Sequence, residues 1–365
     1  METILITTAV VTGFTGILAV LLTLADRTIA NYGEKKLVIN DDKEYIVNGG
    51  RSLLSTLIEQ KIFIPSACGG KGTCGYCKVK VLEGGGQVLP TELPWLTEEE
   101  LKNNIRLSCQ CKVKEDMKIY IPEELFNVRE YEATVELIED MTPVIKKVRI
   151  RLKEEDEIEF KPGQYIQLKI PVYDGNEEED YRAYSIASSP KAKDFIDLYI
   201  GYTGGPATTY VHKFLNVGDT VYINGPYGDF YYRDNRDKEM ILVAVGTGIA
   251  PILSILHYMA EHEIDRKVTF YFGARTPEDL FEMDLIKYFE EKIPRFKFIP
   301  TLSRVTEEHN WTGARGRVNV HLEKDIENAD NKEAYLCGSP AMIDTVVEIL
   351  KKKGFTDENI FYDKF

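Results

Sequence analysis

The chain has 365 residues, more than one ordinary domain, and its 44% hydrophobic and 28% charged residues are typical of a globular protein. It contains 45 Lys and Arg against 59 Asp and Glu, which gives a net charge of −14. Because an acidic chain without a basic stripe is repelled by a phosphate backbone, nucleic-acid binding is excluded as a main role.

The N-terminal segment, residues 1–30, is predicted to be a membrane anchor. Residues 4–25 (ILITTAVVTGFTGILAVLLTLA) carry no charge, and as a helix they would span roughly 33 Å, enough to cross a hydrocarbon core. A signal peptide is the competing interpretation, but the start is not basic and no small-residue cleavage site follows cleanly. Since Arg27, Lys35 and Lys36 follow the run, the positive-inside rule predicts a single-pass anchor with the rest of the chain on the cytoplasmic face of the inner membrane.

Residues 31–127 are predicted to form a small domain that contains most of the cysteines. Alternating residues such as those at Lys78–Val81 predict short strands. Helices are predicted over Ser52–Gln60 and over Thr97–Lys102, the second of which begins with a capping box.

Four of the six cysteines have the spacing of metal ligands, which indicates a cofactor in a reducing compartment and not a disulfide framework. The pattern is Cys-x5-Cys-x2-Cys-x31-Cys, formed by Cys68, Cys74, Cys77 and Cys109. Four thiolates suit a [2Fe–2S] cluster or a structural zinc, but a zinc ribbon normally uses two Cys-x2-Cys pairs and this chain has one. Cys111 is interpreted as a buried structural thiol, with a role as a substitute ligand as the alternative.

The loop that carries the first three ligands, SACGGKGTCGYC, is rich in glycine. Glycine lets a loop wrap closely around a cluster, and the loop amides can then bond the sulfurs. The segment resembles the plant-type [2Fe–2S] ferredoxins, whose spacing is Cys-x4-Cys-x2-Cys, and departs from them by one extra residue in the first gap. The resemblance implies a β-grasp-type domain with a [2Fe–2S] cluster.

Residues 128–236 contain strand-like runs separated by Gly and Pro, which predict an antiparallel barrel or sandwich. The runs are YEATVELIED, IKKVRIRL, YIQLKI, FIDLYIGY and TVYING. Within this block, residues 182–185 (RAYS) match the R-x-Y-S motif of the ferredoxin–NADP reductase superfamily, preceded by its usual companion PGQY at 162–165. The resemblance implies a flavin-binding β-barrel in which Arg182 pairs with a cofactor phosphate while Tyr184, beside Ser185, packs against the flavin.

Two further tetrapeptides support this resemblance. Residues 205–208 (GPAT) match the superfamily's G-x-x-S/T, which opens a helix whose N-terminal amides hold the pyrophosphate. Gly205 and Thr208 are therefore candidate flavin-binding residues, with Thr in place of the usual Ser. Residues 225–228 (GPYG) match the turn that ends the superfamily's barrel.

Residues 237–365 alternate strands and helices, which predicts a parallel α/β sheet that binds a pyridine nucleotide. Its strand-like runs are MILVAVG, VTFYFGAR, FKFIPTL and AYLCGS. Gly246, Gly248 and Pro251 lie in GTGIAP, between a strand and a helix, and Pro251 is predicted to start the helix at N1.

The last block also resembles the superfamily's nucleotide domain near its end. Residues 337–340 (CGSP) resemble the family's C-G-x-P, which implies that the thiol of Cys337 lies beside the nicotinamide, with Gly338 and Pro340 in the same binding turn. The chain ends in Phe365, where the family has an aromatic ring against the flavin. Cys337 and Phe365 are thus the predicted catalytic residues, in the sense that they lie nearest the reacting atoms.

The order of anchor, ferredoxin, flavin and nucleotide domains resembles the F subunits of the Na+-translocating NADH:quinone reductases over essentially the whole chain. The shared segments include VLEGGG (81–86), LPTE (89–92), RLSCQ (106–110) and NWTG (310–313). The resemblance implies NADH oxidation at FAD, with single electrons passed through the cluster to partner subunits and finally quinone. It also implies ion transport by the complex, although one helix cannot form an ion pathway alone.

Alternatives remain for the nucleotide that the chain uses and for its role as a subunit or a free-standing protein. Ser303 and Arg304 follow the third strand of the nucleotide domain, where such a pair can bind the 2′-phosphate of NADP, whereas Glu307 and Glu308 would repel it, so NADH is the predicted substrate. The same internal chemistry would also serve a free-standing reductase that feeds an oxygenase or corrinoid protein. A third possibility, an electron-transfer module without dehydrogenase activity, is disfavoured by the intact GTGIAP and CGSP segments.

Overall fold

The computed structural model describes residues 2–29, 32–126, 128–153, 156–234 and 237–364. The chain divides into two compact units, Met1–Arg129 and Glu130–Phe365. Each unit has its own sheet structure and its own buried core.

The first unit begins with helix α1 (Glu2–Ile29), which contains the predicted anchor segment. Several large apolar side chains on this helix are exposed, among them Val11, Phe14 and Ile17. The segment 4–25 lies partly outside the residues whose side chains are described. Among those that are described, no helix is both long enough and apolar enough to qualify as a membrane span.

The rest of the first unit is a mixed five-stranded sheet with short helices. Its strands follow the order β2-β1-β5-β3-β4; the pair β1/β5 is parallel, while β1/β2, β3/β4 and β3/β5 are antiparallel. The elements are β1 (Glu34–Ile39), β2 (Lys43–Asn48), α2 (Leu53–Glu59), β3 (Lys78–Glu83), α3 (Glu98–Lys102), β4 (Ile105–Leu107), β5 (Met117–Tyr120) and α4 (Glu123–Phe126).

Local sequence signals explain the helices of this unit. The side chain of Ser52 caps α2 by accepting from Ser55 N, and Thr97 with Glu100 forms the predicted capping box of α3. Helix α2 packs Leu53 and Leu57 into a core shared with the sheet residues Leu37, Ile39 and Ile119. Both predicted helices are therefore confirmed, each within one residue of its predicted ends.

The second unit begins with a six-stranded sheet of order β10-β7-β6-β11-β8-β9. Its elements are β6 (Arg129–Thr142), β7 (Ile145–Leu152), β8 (Tyr165–Ile170), β9 (Asp180–Ser185), β10 (Phe195–Gly201), α5 (Pro206–Lys213) and β11 (Thr220–Tyr227). A bridge from Ile186, just past β9, to Leu198 in β10 joins the two edge strands. The sheet therefore closes into a barrel, which removes its exposed edges.

The GPYG segment differs from its prediction. Residues 225–227 belong to the end of β11 and are not a separate turn. The pairing of β11 with β8 shifts register between Asn224 and Tyr227, so the segment is an irregular strand end. Such a bulge changes the direction of a strand without ending it.

The remaining sheet is parallel, with strand order β15-β14-β13-β12-β16-β17. Its elements are β12 (Glu239–Val245), α6 (Ile249–Glu261), β13 (Val268–Ala274), α7 (Met283–Lys292), β14 (Phe296–Leu302), β15 (Ala314–Arg315), α8 (Val318–Asp325), β16 (Lys332–Gly338), α9 (Pro340–Lys352) and β17 (Ile360–Lys364).

Helices cover both faces of this sheet because its strands are apolar on both sides. Leu242 and Ala244 of β12 pack in a core with α6 and α7, whereas Ile241 and Val243 pack with α8 and α9. The strand order reverses between β12 and β16, and ligands of such sheets bind at the carboxyl ends of the strands at this reversal. The GTGIAP and CGSP segments both lie there.

The prediction that Pro251 starts its helix at N1 was wrong. A 3-10 turn over Gly246–Gly248 follows β12, and α6 begins at Ile249 with Gly248 as its N-cap, so Pro251 is the third helical residue. Proline is tolerated there because the first-turn N–H groups of a helix have no partner within the helix.

Candidate redox centre and nucleotide site

The four predicted ligand cysteines form two pairs. The Cys74 thiol donates to Cys68 Sγ at 3.4 Å, and a second thiol hydrogen bond joins Cys77 with Cys109. Within the described residues, no group of three or more His, Cys, Asp or Glu side chains is placed to hold a metal ion. A structural zinc needs four ligands around one ion, whereas a [2Fe–2S] cluster has two irons and four cysteines. The two thiol pairs match the two irons and four cysteines of a [2Fe–2S] cluster.

The loop around these cysteines directs main-chain amides at sulfur. Gly69, Gly70, Gly72 and Gly75 all have φ between 63° and 77°, a region that glycine adopts without strain. The hydrogen bond with Cys74 lowers the pKa of Cys68 despite burial, and main-chain hydrogen bonds from Thr73 and Lys71 lower it further. Main-chain amides directed at sulfur are what a cluster-binding loop supplies, so the loop suits the predicted cluster.

Cys111 lies apart from both thiol pairs. It is buried, and burial raises the pKa of its thiol. The thiol donates to the carbonyl of Gly85 at 3.5 Å. These contacts support the interpretation of Cys111 as a structural residue.

The predicted flavin residues lie on β9 and at the start of α5. Arg182 forms an ion pair with Asp180 and donates to the carbonyl of Tyr181 at 3.0 Å. Tyr184 packs against the barrel core, where burial raises the pKa of its hydroxyl, and Ser185 lies opposite Tyr165 on β8. Arg182, the third residue of β9, is thus a cation held in a fixed orientation, as phosphate binding requires.

The GPAT turn is ordered by its own threonine. Gly205 caps α5, and the Thr208 hydroxyl donates to the Gly205 carbonyl and accepts from Thr203 N, both at 3.2 Å. Pro206 occupies N1, where its missing N–H is no loss. The remaining first-turn amides and the positive end of the helix suit a pyrophosphate.

The two predicted nucleotide segments pack directly on each other. A Cβ added at Gly248 would lie 2.3 Å from the carbonyl oxygen of Cys337, and one at Gly338 would lie 2.6 Å from Cγ2 of Val245. Both positions therefore require glycine. Pro340 opens α9 at N1, the helix position that favours proline. The starts of α6 and α9 thus converge at the reversal point of the sheet, where a dinucleotide fits.

Of the two predicted catalytic residues, Cys337 and Phe365, the structure describes Cys337. Cys337 is fully buried in β16, and burial raises the pKa of its thiol well above the ordinary value. The thiol is therefore neutral and suited to packing, not to nucleophilic attack. Phe365 lies outside the described residues.

Three family models match successive parts of the chain. The 2Fe-2S iron-sulfur cluster binding domain matches residues 37–114, the oxidoreductase FAD-binding domain matches residues 132–232, and the oxidoreductase NAD-binding domain matches residues 242–348.

Curated relatives match almost the full length. The F subunit of the Na(+)-translocating NADH-quinone reductase from Idiomarina loihiensis is 35% identical over 96% of both chains, and that from Neisseria gonorrhoeae is 34% identical over 95% of this chain and 96% of its own. The chain belongs to this F-subunit family. Accordingly, it is an NADH oxidoreductase that uses FAD and a [2Fe–2S] cluster.

Solved structures of the same architecture come from other reductases. The Amycolatopsis cytochrome P450 reductase has a TM-score of 0.72 at 26% identity, and the ferredoxin reductase of a carbazole 1,9a-dioxygenase has 0.70 at 25%. Each comparison covers 91% of this chain and 98% of the solved chain.

Among the described residues, several ion pairs with little exposed surface were not predicted, including that of Arg266 with Glu333, whose side chains are at most 2% exposed. In the first unit, Glu92 and Arg106 form an ion pair with at most 5% of either side chain exposed. In the second unit, Glu282 accepts from Lys147 Nζ at 2.8 Å and from the Tyr199 hydroxyl. The LPTE and RLSCQ segments contain Glu92 and Arg106, but no sequence pattern reveals that an acidic residue is buried in so acidic a chain.

Glu282 lies where the barrel meets the parallel sheet. It precedes α7, while its partners Lys147 and Tyr199 lie on the barrel strands β7 and β10. Nearby, a Cβ on Gly201 at the end of β10 would lie 3.4 Å from Thr247 Cγ2 in the GTGIAP segment. The barrel and the nucleotide turn are therefore in direct contact.

Proposed function

We propose that this chain is the NADH-oxidising, membrane-anchored subunit of a multi-subunit redox complex, delivering single electrons to partner subunits and finally to quinone. The proposal rests chiefly on 35% identity to the F subunit of a Na(+)-translocating NADH-quinone reductase over 96% of both chains. When bound, the cofactors supply the redox chemistry, namely hydride acceptance at the flavin and one-electron transfer at the cluster. The protein supplies their positions and their electrostatic surroundings.

The residue assignments form part of the proposal. Cys68 and Cys74 would bind one iron, and Cys77 with Cys109 the other, since the thiols already lie in these pairs. The proposed FAD residues are Arg182, Tyr184, Ser185, Gly205 and Thr208. The proposed NADH residues are Gly246, Gly248, Pro251, Gly338 and Pro340, with Cys337 and Phe365 beside the reacting atoms.

A single-pass N-terminal anchor in the inner membrane is also proposed, with the rest of the chain on the cytoplasmic face. Residues 4–25 carry no charge, and the exposed Val11, Phe14 and Ile17 on α1 form the kind of apolar surface that a bilayer covers. The hydroxyl of Thr15 donates to the Val11 carbonyl at 2.9 Å, so this polar group is satisfied inside the helix, as lipid requires.

The decisive variant is Cys74→Ala, with Cys111→Ala as the matched control. Removing one of four thiolates should eliminate the cluster, while the flavin unit, which has its own core, keeps its NADH–ferricyanide activity. Reduction of a one-electron protein acceptor should collapse in Cys74→Ala only. Loss of bound flavin in Cys74→Ala, or full retention of electron transfer to the protein acceptor, would contradict the proposed division between the units.

A second function is favoured by the structural similarity to a P450 reductase and a dioxygenase reductase. In that case the chain would be a free-standing reductase for a soluble acceptor, with identical internal chemistry. Purification from native membranes under mild detergent distinguishes the two. Stoichiometric co-purification of other redox subunits supports the complex, whereas isolation of the chain alone with high activity toward a soluble oxygenase partner supports the second function.

A further inference from the structure

A buried ion pair lies in the cluster-binding unit, between residues that the proposed electron path does not use. Glu92 is fully buried and Arg106 is 4% exposed. The guanidinium donates to the carboxylate from Nε at 2.9 Å and from Nη2 at 2.6 Å. Its other N–H groups donate to three carbonyls, those of Gly85, Gly86 and Gln87, at 2.7, 3.1 and 3.0 Å. All five donors of Arg106 are therefore used inside the protein.

This pair ties together the three sequence segments VLEGGG, LPTE and RLSCQ. Arg106 holds the carbonyls of the first segment, and Glu92 ends the second. The Glu92 carboxylate also accepts from Leu89 N at 2.9 Å and from Leu107 N at 3.0 Å. The pair thus fixes the stretch of chain between β3 and α3, which we call the strap (residues 85–95), against β4.

The main chain of β4 leads directly to the Cys77–Cys109 pair. Leu107 N is held by Glu92, and the next amide, Ser108 N, donates to the carbonyl of Cys77 at 2.8 Å. Cys109 follows at once. A displacement of Leu107 would therefore reach both thiols through two consecutive main-chain amides.

The strap also contacts residues beside two of the proposed ligands, Cys109 and Cys74. The Thr91 hydroxyl donates to Gln110 Oε1 at 2.9 Å, and Gln110 Nε2 in turn donates to Cys109 Sγ at 3.6 Å. Farther along, the Trp95 ring covers Gly75, next to Cys74, so closely that an added Cβ would lie 2.8 Å from Cε3. The strap therefore orients a sulfur hydrogen bond and covers part of the loop.

We propose that Glu92 is a positioning residue for the [2Fe–2S] centre, which acts by pairing with Arg106 to hold the strap over the cluster loop. The inference rests on the proposed ligand set. A buried ion pair gains little stability over an apolar pair of the same shape, because desolvation of the two charges offsets their attraction. What the pair supplies here is geometry, since five directed N–H bonds fix the strap where apolar contacts would let it slide.

The consequence for the cluster is specific. Hydrogen bonds to the sulfurs are among the factors that set the reduction potential of an iron–sulfur centre, and they raise it by stabilising the more negative reduced state. Loss of the Thr91–Gln110 contact frees the Gln110 amide and should lower the midpoint potential. Loss of the ion pair should release the whole strap and expose the cluster to loss of iron.

The test uses the full-length protein with FAD and cluster bound, and compares Glu92→Gln, Thr91→Val and the control Asp41→Asn. Asp41 forms an exposed ion pair with Lys118 in the same unit. The measurements are the half-life of cluster absorbance in EDTA, the midpoint potential by EPR-monitored titration, and NADH–ferricyanide activity. Glu92→Gln should shorten the half-life about tenfold or more, the size typical of lost outer-shell support. Asp41→Asn should change neither the half-life of the cluster nor its midpoint potential.

Thr91→Val keeps the ion pair and the fold, so it tests the inference even if Glu92→Gln fails to assemble. It should lower the midpoint potential while the melting temperature and ferricyanide activity stay at the wild-type values. A Glu92→Gln half-life equal to that of Asp41→Asn, or a Thr91→Val potential equal to that of wild type, would overturn the inference. Failure of the ligand assignment is distinguishable, because Cys74→Ala would then retain its cluster.

Discussion

The direct contact of the GTGIAP turn with β16 makes Gly248→Ala an informative perturbation. The added Cβ would lie 2.3 Å from the Cys337 carbonyl oxygen, 2.6 Å from its carbonyl carbon and 2.9 Å from Gly338 N. All three neighbours are main-chain atoms of a fully buried strand, so no side chain can rotate away. The φ of Gly248 is −61°, which alanine adopts freely, so the whole cost is steric.

The size of the effect follows from this overlap. Ordinary contact begins at 3.4 Å, so the turn must move away from β16 by about 1 Å. Overpacking of this kind costs about 2–3 kcal/mol in a rigid core. For a unit of this size, that corresponds to a melting temperature lowered by roughly 4–12 °C. Because the turn carries the proposed nucleotide contacts, we also expect the KM for NADH to rise about tenfold, the equivalent of about 1.4 kcal/mol.

The assay combines NADH–ferricyanide kinetics, differential scanning calorimetry and the visible spectrum of the bound cofactors. Thr247→Ser is the matched control, since it removes one methyl group from the same turn and leaves the main-chain contact intact. FAD and cluster content should stay unchanged in both variants. If Gly248→Ala had the same KM and melting temperature as Thr247→Ser, the close packing of the turn on β16 would be refuted.

Three further predictions concern other parts of the chain. Deletion of residues 1–29 should give a soluble protein with unchanged NADH–ferricyanide activity, and loss of flavin or precipitation would show instead that the segment belongs to the fold. NADH should be used in preference to NADPH, because the Ser303 hydroxyl already donates to the Ala274 carbonyl and not to a 2′-phosphate. Equal catalytic efficiency with NADPH would indicate instead that Ser303 and Arg304 bind that phosphate. Burial lowers the pKa of His257 below its ordinary 6.5, so the unfolded chain binds the proton more tightly than the folded chain does. The free energy of unfolding should therefore fall as the pH drops below 6.5, by at most about 1.4 kcal/mol per pH unit. His257→Gln should reduce this slope in urea titrations at pH 5.5 and 7.5, and an unchanged slope would contradict the assignment.

Much of the local structure could be predicted from the sequence. The capping box at Thr97 defines the start of α3 because both of its hydrogen bonds join residues three apart. The alternation in IKKVRIRL predicts β7, whose Val148, Ile150 and Leu152 point into the barrel core. Cysteine spacing with interleaved glycines predicts the cluster loop, because three of the four proposed ligands lie in one short segment whose geometry depends little on the rest of the fold.

Other features depend on contacts between residues distant in sequence. Pro251 lies at N3 because α6 begins at Ile249, directly after a 3-10 turn over Gly246–Gly248. No residue pattern in the sequence predicts that turn. The GPYG segment stays in β11 because its partner strand β8 accepts a shifted register. The reversal of strand order between β12 and β16 follows from how helices pack on both faces, and it brings GTGIAP next to CGSP although about 90 residues separate them in the sequence.

The electrostatic properties also depend partly on the sequence and partly on the tertiary structure. The sequence determines which charges the chain has, and in particular that it is acidic, but burial determines what each charge does. Glu92 and the exposed Glu98 lie six residues apart and are chemically identical. Only the tertiary structure encloses Glu92, where hydrogen bonds from Arg106 and from the amides of Leu89 and Leu107 overcome the effect of burial and lower the pKa of its carboxyl. The physical reason is that desolvation depends on all surrounding atoms, and those atoms come from segments that the chain brings together only when it folds.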